Sequence, residues 1–330
     1  MNIYITLDYE LFLGKQSGTV DNCIIKPANK LLKIVDRYNI KISFFVDAGY
    51  LMALERQKDK FSNLEEDYQK ISQQIKSLSK EGHGVELHIH PHWEDTFFKA
   101  NKGWVSNTSR YKLTDYSEEE ILDIVTRYNN ILKKHTITAP VAFRAGGWSA
   151  QPFNKIKKAL EKNNILIDST AYPNGYYQSA NQKFDFRKVP QYKTQYKFLD
   201  DFVTEEINGN FTEIPISSYK VSPLFFWKFA LKKVFKQKKH IAFGDGNAIS
   251  KDKDSVLKLL TKSSYSVVSV DGYKALYLIK AFKIYIKNTT PDDNFVIIGH
   301  PKAFTPYSLK KIKVFIEKNY KNHSYVIFKK

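Results

Sequence analysis

Three of the eight histidines in this 330-residue chain fall within five residues, in the run His88-Ile89-His90-Pro91-His92. Neutral imidazole is a borderline donor suited to zinc and similar divalent ions. Catalytic sites commonly take three protein ligands and leave one position to water. Asp8 and Glu10 stand two apart in Thr6-Leu7-Asp8-Tyr9-Glu10 and so project to one side of a strand. Such a pair divides labour, one carboxylate holding an ion while the other takes a proton from water. Phe143-Arg144-Ala145-Gly146-Gly147-Trp148 adds a guanidinium, and Ile298-Gly299-His300-Pro301 a late imidazole. Two carboxylates, a histidine cluster, an arginine and a separate histidine are the parts of a metal-assisted hydrolase.

Each of these stretches closes an apolar, strand-like run, and helical patterns fill the intervals. Leu31, Leu32, Ile34 and Val35 form a helical stripe after Pro27, and Ile40–Val46 reads as the next strand. Ile71, Ile75 and Leu78 share a helix face over 65–81, Gly82 stops it, and Val85–Ile89 follows. Ser117-Glu118-Glu119-Glu120 is a capping box ahead of Ile121, Ile124, Val125, Tyr128 and Leu132. A helix near 151–163 leads to a strand over 165–170, and further helices are expected near 272–287 and 308–319. Strands alternating with helices predict a parallel sheet with right-handed crossovers, closed or nearly closed into an α/β barrel. Functional side chains of such barrels sit at the C-terminal strand ends, where Asp8, His88, Arg144, Asp168 and His300 all fall. Residues 94–116 and 172–212 are polar and aperiodic and are expected as long loops over that face. The chain reads as a single domain, 1–330, with insertions near 94–116 and 172–290.

A composition 42% hydrophobic and 15% aromatic is that of a core-forming protein. The single cysteine, Cys23, excludes an intramolecular disulfide and any multi-cysteine metal site. Met1-Asn2-Ile3-Tyr4 runs straight into a strand, without the pattern of a secretory signal, and no apolar run is long enough to span a membrane. The expected location is cytoplasmic. The net charge of +18 is compatible with anionic partners or with a lysine-rich composition bias.

Read in order, the motifs resemble those of the polysaccharide deacetylase family, the NodB-like carbohydrate esterases, and among these the branch met in polysaccharide biosynthesis. Thr6–Glu10 resembles the first motif and Ile42-Ser43-Phe44-Phe45-Val46 the strand after it. Gly82–His88 leading to His92 is similar to the second, Phe143–Gly147 to the arginine motif, and Ile167-Asp168-Ser169-Thr170 to the Asp-Ser-Ser stretch. Ile298–Pro301 resembles the last motif. The resemblance spans about residues 3–170 and 295–305. It implies a distorted (β/α) barrel of about seven parallel strands that removes acetyl groups from N-acetylated sugars of a polysaccharide or lipid-linked glycan precursor. It also implies roles: Asp8 the general base, Arg144 its partner, His300 the proton donor, and Glu10, His88 and His92 the ligands of a divalent metal. Zinc is the expected ion, with cobalt or nickel as substitutes. The backbone N–H of Gly147 is the expected oxyanion donor.

This chain departs from the family pattern twice. Tyr9 stands where a second aspartate is usual, so that Glu10 comes one place later, and His90 has no counterpart. His88 and His90, on one strand face, form a second possible ligand pair, which would leave His92 beside the metal or the substrate. Trp93, Trp148 and Tyr172 either stack on sugar rings or roof the barrel core, and Asp168 either reaches the pocket or caps a loop. Residues 225–240 read as an amphipathic helix with a basic face, resting on an anionic membrane or packed on the barrel. A hydrolase of small cyclic amides and a non-catalytic glycan-binding module are the rival readings; no nucleic-acid motif is present.

Overall fold

The computed structural model describes residues 1–14, 16–179, 182–235, 237–248 and 253–329. Its first strand, β1 (Asn2–Tyr9), has burial on nearly every side chain and leads to helix α1 (Lys26–Val35). Then come β2 (Ser43–Asp47), α2 (Ala48–Gln57), α3 (Ser62–Lys80) and β3 (Gly84–Ile89). Helix α4 (Glu118–Lys133) precedes β4 (Ala142–Ala145), and α5 (Asn154–Lys162) precedes β5 (Ile167–Asp168). The second half adds β6 (Tyr196–Phe198), β7 (Phe211–Glu213), α6 (Pro223–Val234) and α7 (Lys253–Thr261). It ends with α8 (Leu278–Asn288), β8 (Asn294–Gly299), α9 (Pro306–Asn319) and β9 (Ser324–Tyr325).

The main sheet runs β6-β7-β5-β4-β3-β2-β1-β8, with only the β6–β7 pair antiparallel. β9 pairs with the first residues of β1, which β2, joining at Thr6, leaves open. The central strands are buried on both faces because helices cover the outside and a packed core fills the inside. The sheet curls into a half-barrel, the distorted (β/α) barrel expected from the sequence. Its open side is bridged by single backbone bonds. Ile216 N donates to Ala171 O, Ser217 N to Val296 O, Val268 N to Ser217 O and Val270 N to Ile298 O.

The capping box forms as read: Ser117 Oγ accepts from Glu120 N, and Glu120 Oε2 accepts from Ser117 N. Helix α2 escaped the sequence reading because it has no polar stripe: Ala48, Gly49, Tyr50, Leu51, Ala53 and Leu54 are all buried. The expected strand over 165–170 contracts to β5, since the Asp168 carboxylate captures the N–H and hydroxyl of Thr170. The region 172–212, expected as loop, holds a hairpin (Gly175–Gln178 with Lys183–Phe186), β6 and the start of β7. Among the described residues no helix is long and apolar enough to cross a membrane.

Candidate active site at the barrel mouth

Asp8 lies next to the end of β1 with its side chain buried, and Arg144 reaches it from β4. Arg144 Nη1 donates to Asp8 Oδ1 at 2.7 Å and to Thr6 Oγ1 at 3.0 Å. Nε donates to Ser169 O at 2.7 Å and Nη2 to Ser169 Oγ at 3.1 Å. The guanidinium also lies 4.0 Å over the Phe45 ring. A planar fork meets these acceptors simultaneously, which an ammonium cannot do, so the fully buried Arg144 makes four hydrogen bonds. Its grip on Oδ1 leaves Asp8 Oδ2 for the mouth.

Glu10 lies beyond the end of β1. Its Oε2 is 2.5 Å from His90 Nε2 and 3.4 Å from His88 Nε2, while Oε1 meets Lys302 Nζ at 3.0 Å. Burial opposes ionisation of Glu10, but the Lys302 ammonium and the two imidazoles outweigh it and hold the carboxyl well below its ordinary range. His88 Nδ1 donates to Arg144 O at 2.9 Å, which turns Nε2 toward Glu10 and fixes the tautomer. Gly146 permits this crowding, since a Cβ there would lie 2.5 Å from the His90 ring.

The donor atoms of Glu10, His88 and His90 all lie within 4.8 Å of one another. His88 Nε2 and His90 Nε2 are buried and neither makes a well-aligned hydrogen bond. One carboxylate and two imidazoles with idle nitrogens fit a divalent ion. This grouping differs from the expected trio of Glu10, His88 and His92 in bringing His90, and not His92, within reach of the other two. Residues 88 and 90 share a strand face, whereas Pro91 opens a 3₁₀ turn that carries His92 away. The His92 ring packs 5.0 Å from Trp93. Burial, with His90 and Lys302 nearby, pushes its pKa down to about 3 and keeps it neutral.

His300 follows β8. Its Nδ1 meets Asp271 Oδ2 at 2.8 Å, and its backbone N donates to Asp271 Oδ1 at 2.7 Å. Nε2 then points into the mouth, 3.5 Å from Asp8 Oδ2 and 3.7 Å from Glu10 Oε1. Burial works against a charge on His300, but Asp271 and then Asp8 and Glu10 raise its pKa above the ordinary value. Asp271 and Lys302 were both missed in the sequence. Asp271 had a signal, since Val267-Val268-Ser269-Val270 is one more apolar run with a carboxylate at its end.

Trp93 does not offer a face to a sugar. It is 3% exposed, its indole N–H donates to Asp47 Oδ2 at 2.6 Å, and its rings pack on Tyr50 and Trp104. Of the two readings, stacking on a sugar or packing on the core, its surroundings match the second. Trp148 is partly buried, lies in the left-handed region (φ 58°) and packs against Tyr172 and Phe184. Gly147 has φ 58° as well, and its carbonyl accepts from Gln182 Nε2 at 2.6 Å. Tyr111 closes over it; a Cβ at position 147 would lie 2.3 Å from the Tyr111 hydroxyl.

Residues 17–165 match the family model described as polysaccharide deacetylase. Over that stretch the chain is similar to polysaccharide deacetylases. The matched stretch includes the histidine cluster and Arg144; Asp8, Glu10, Asp271 and His300 lie outside it and are brought in by the fold. No curated protein matches the sequence significantly. Similar solved structures include a Mycobacterium smegmatis protein assigned as a polysaccharide deacetylase, with 15% identity and a TM-score of 0.47 over 98% of this chain and 86% of that one. A Bacillus cereus polysaccharide deacetylase shows 12% identity and a TM-score of 0.43 over 99% and 92%. An allantoinase shows 13% identity and a TM-score of 0.48 over 100% and 87%.

Proposed function

We propose that the chain hydrolyses the acetamide of an N-acetylated sugar, in a polysaccharide or a lipid-linked glycan precursor, with a divalent ion held by Glu10, His88 and His90. The observation that carries this reading is one distance: a proton acceptor, Asp8 Oδ2, and a proton donor, His300 Nε2, stand 3.5 Å apart beside the three-donor cluster. Zinc suits one carboxylate and two imidazoles, and cobalt or nickel can occupy the same donors. When bound, such an ion lowers the pKa of water and polarises the acetamide carbonyl.

The protein's own groups do the rest. Arg144 holds Asp8 so that Oδ2 takes the proton of the attacking water. The Gly147 N–H is the proposed donor to the oxygen of the tetrahedral intermediate. As the C–N bond breaks, the proton on His300 Nε2 passes to the leaving amine, with Asp271 stabilising the imidazolium beforehand. The products are acetate and the free amino sugar. Trp148, open at the rim, is the proposed surface for a sugar ring.

The test is acetate release from N-acetylglucosamine oligomers by protein loaded with zinc, cobalt or nickel, run beside ring opening of a small cyclic amide. Acetate release that disappears in Asp8→Asn supports the assignment. Ring opening without acetate release overturns it in favour of amide hydrolysis on a small substrate.

A further inference from the structure

The face of α6 turned away from the barrel carries an unusual set of side chains. Leu224 is 60% exposed, Trp227 53%, Leu231 52% and Phe235, just past the helix end, 68%. Their spacing of three, four and four residues puts them on one stripe. The opposite face holds the helix to the body of the protein. Phe225 is buried and stacks on Tyr273 (5.4 Å, 15°) and against Tyr277 (5.0 Å). The stripe is therefore not the helix's packing face left bare; that face is already used. α7 lies alongside, receiving the Trp227 indole N–H on Leu260 O at 3.0 Å, and adds exposed Val256 and Leu257.

Charge accompanies the apolar stripe. The sequence from 214 to 244 contains no aspartate or glutamate, while Lys228, Lys232, Lys233, Lys236, Lys238 and Lys239 crowd its centre. Lys228 and Lys232 fall on the helical wheel next to the stripe, with Lys228 exposed. Large apolar groups flanked by cations match a surface with an oily interior and an anionic rim. A nucleic acid would use the lysines but has no place for exposed leucines.

We propose that α6 docks this protein on an anionic phospholipid bilayer, burying Leu224, Trp227, Leu231 and Phe235 with the flanking lysines on the headgroups. The helix is tied to the mouth of the barrel. His240 packs on Tyr273 and Tyr307, Gly244 N donates to Lys302 O at 3.1 Å, and Tyr273 lies two residues from Asp271. Docking through α6 would therefore bring the mouth close to a lipid surface. This assignment does not rest on the hydrolytic reading.

Flotation of the full chain with vesicles tests it. The protein should rise with phosphatidylcholine–phosphatidylglycerol vesicles and not with phosphatidylcholine alone. It should be released by roughly 1 M salt, where the Debye length is about 3 Å. The Trp227 emission, isolated by comparison with Trp227→Phe, should shift to the blue on binding. The double variants Leu224→Ser/Leu231→Ser and Lys228→Glu/Lys232→Glu should each lose about tenfold or more of the bound fraction. Their melting temperature and their turnover of a soluble oligomer should stay at the parent level. Failure of the parent to float, or unchanged flotation of Leu224→Ser/Leu231→Ser, overturns the proposal. So does a doubled mass in light scattering that this variant abolishes, since a second copy would then be what covers the stripe. Binding to RNA in place of vesicles overturns it as well.

Discussion

Arg144 bonds one oxygen of Asp8 and leaves the other at the mouth, and Asp271 does the same for the two nitrogens of His300. Both roles are exercised through another side chain, so the variants should differ in kind from those of Asp8 and His300. Asp8→Asn should keep its metal, measured on the purified protein, and lose on the order of 10²–10⁴ in kcat. Asp271→Asn should lose less in kcat and change the pH profile. In the proposed mechanism His300 donates a proton, so activity should be present below its pKa and lost as pH rises through it. Asp271 raises that pKa, and its removal should move the alkaline limb of kcat to lower pH. An unmoved limb would assign the limb to another group.

On β3 the period of two puts His88 and His90 on one face, and the turn at Pro91 takes His92 out of it. His90→Ala should therefore reduce bound metal at least about tenfold, as measured by titration against a chelator, whereas His92→Ala should not. The reverse result would restore the four-residue spacing expected from the sequence. The β5–β7 pair sets a second problem. Glu213 and Asp168 are partners in register and fully buried, and Glu213 Oε2 has no hydrogen-bond partner unless a proton is shared with Asp168. Burial, and then the Asp168 charge, push Glu213 well above the ordinary carboxyl range. A carboxyl with a folded pKa above its unfolded one keeps a proton that the unfolded chain has lost. Stability therefore falls as pH rises from the unfolded pKa toward the folded one, by about 1.4 kcal/mol per unit for one group. Glu213→Gln, whose amide supplies that hydrogen permanently, should melt near the parent at pH ~5 and above it at pH ~8. Equal melting temperatures at both values would mean that the pair does not share a proton.

The barrel is completed by its last segment. β8 pairs with β1 from Asn2 to Leu7, and β9 covers the start of β1 that β2 leaves open. Ending the chain after residue 290 would expose a long, apolar edge of β1 and remove His300 and Lys302. Such a protein should show no cooperative melt by circular dichroism; a cooperative melt would show that the half-barrel does not need its last strands. The +18 net charge also has a local expression, in the acid-free stretch around α6.

What local sequence can hold is what proved legible. Strand alternation placed Asp8 beside Thr6 and kept Glu10 close, the capping box opened α4, and Ser43–Asp47 and Gly84–Ile89 announced themselves by apolar runs. The types of side chain at the strand ends pointed to hydrolysis assisted by a divalent ion. Helix α2 and β7 were hidden because one has no polar face and the other is three residues long. The membership of the site was decided only in three dimensions. His90 lies with Glu10 and His88, and His92 does not, because a turn after one residue redirects a ring. Asp271 reached His300 because a segment 29 positions away in the chain runs beside β8. Trp93 is buried where Asp47 accepts from its indole and Tyr50 and Trp104 pack on it. Periodicity specifies which way a side chain faces along its own strand. Which atoms it meets there depends on neighbouring strands, and their order is a property of the closed sheet.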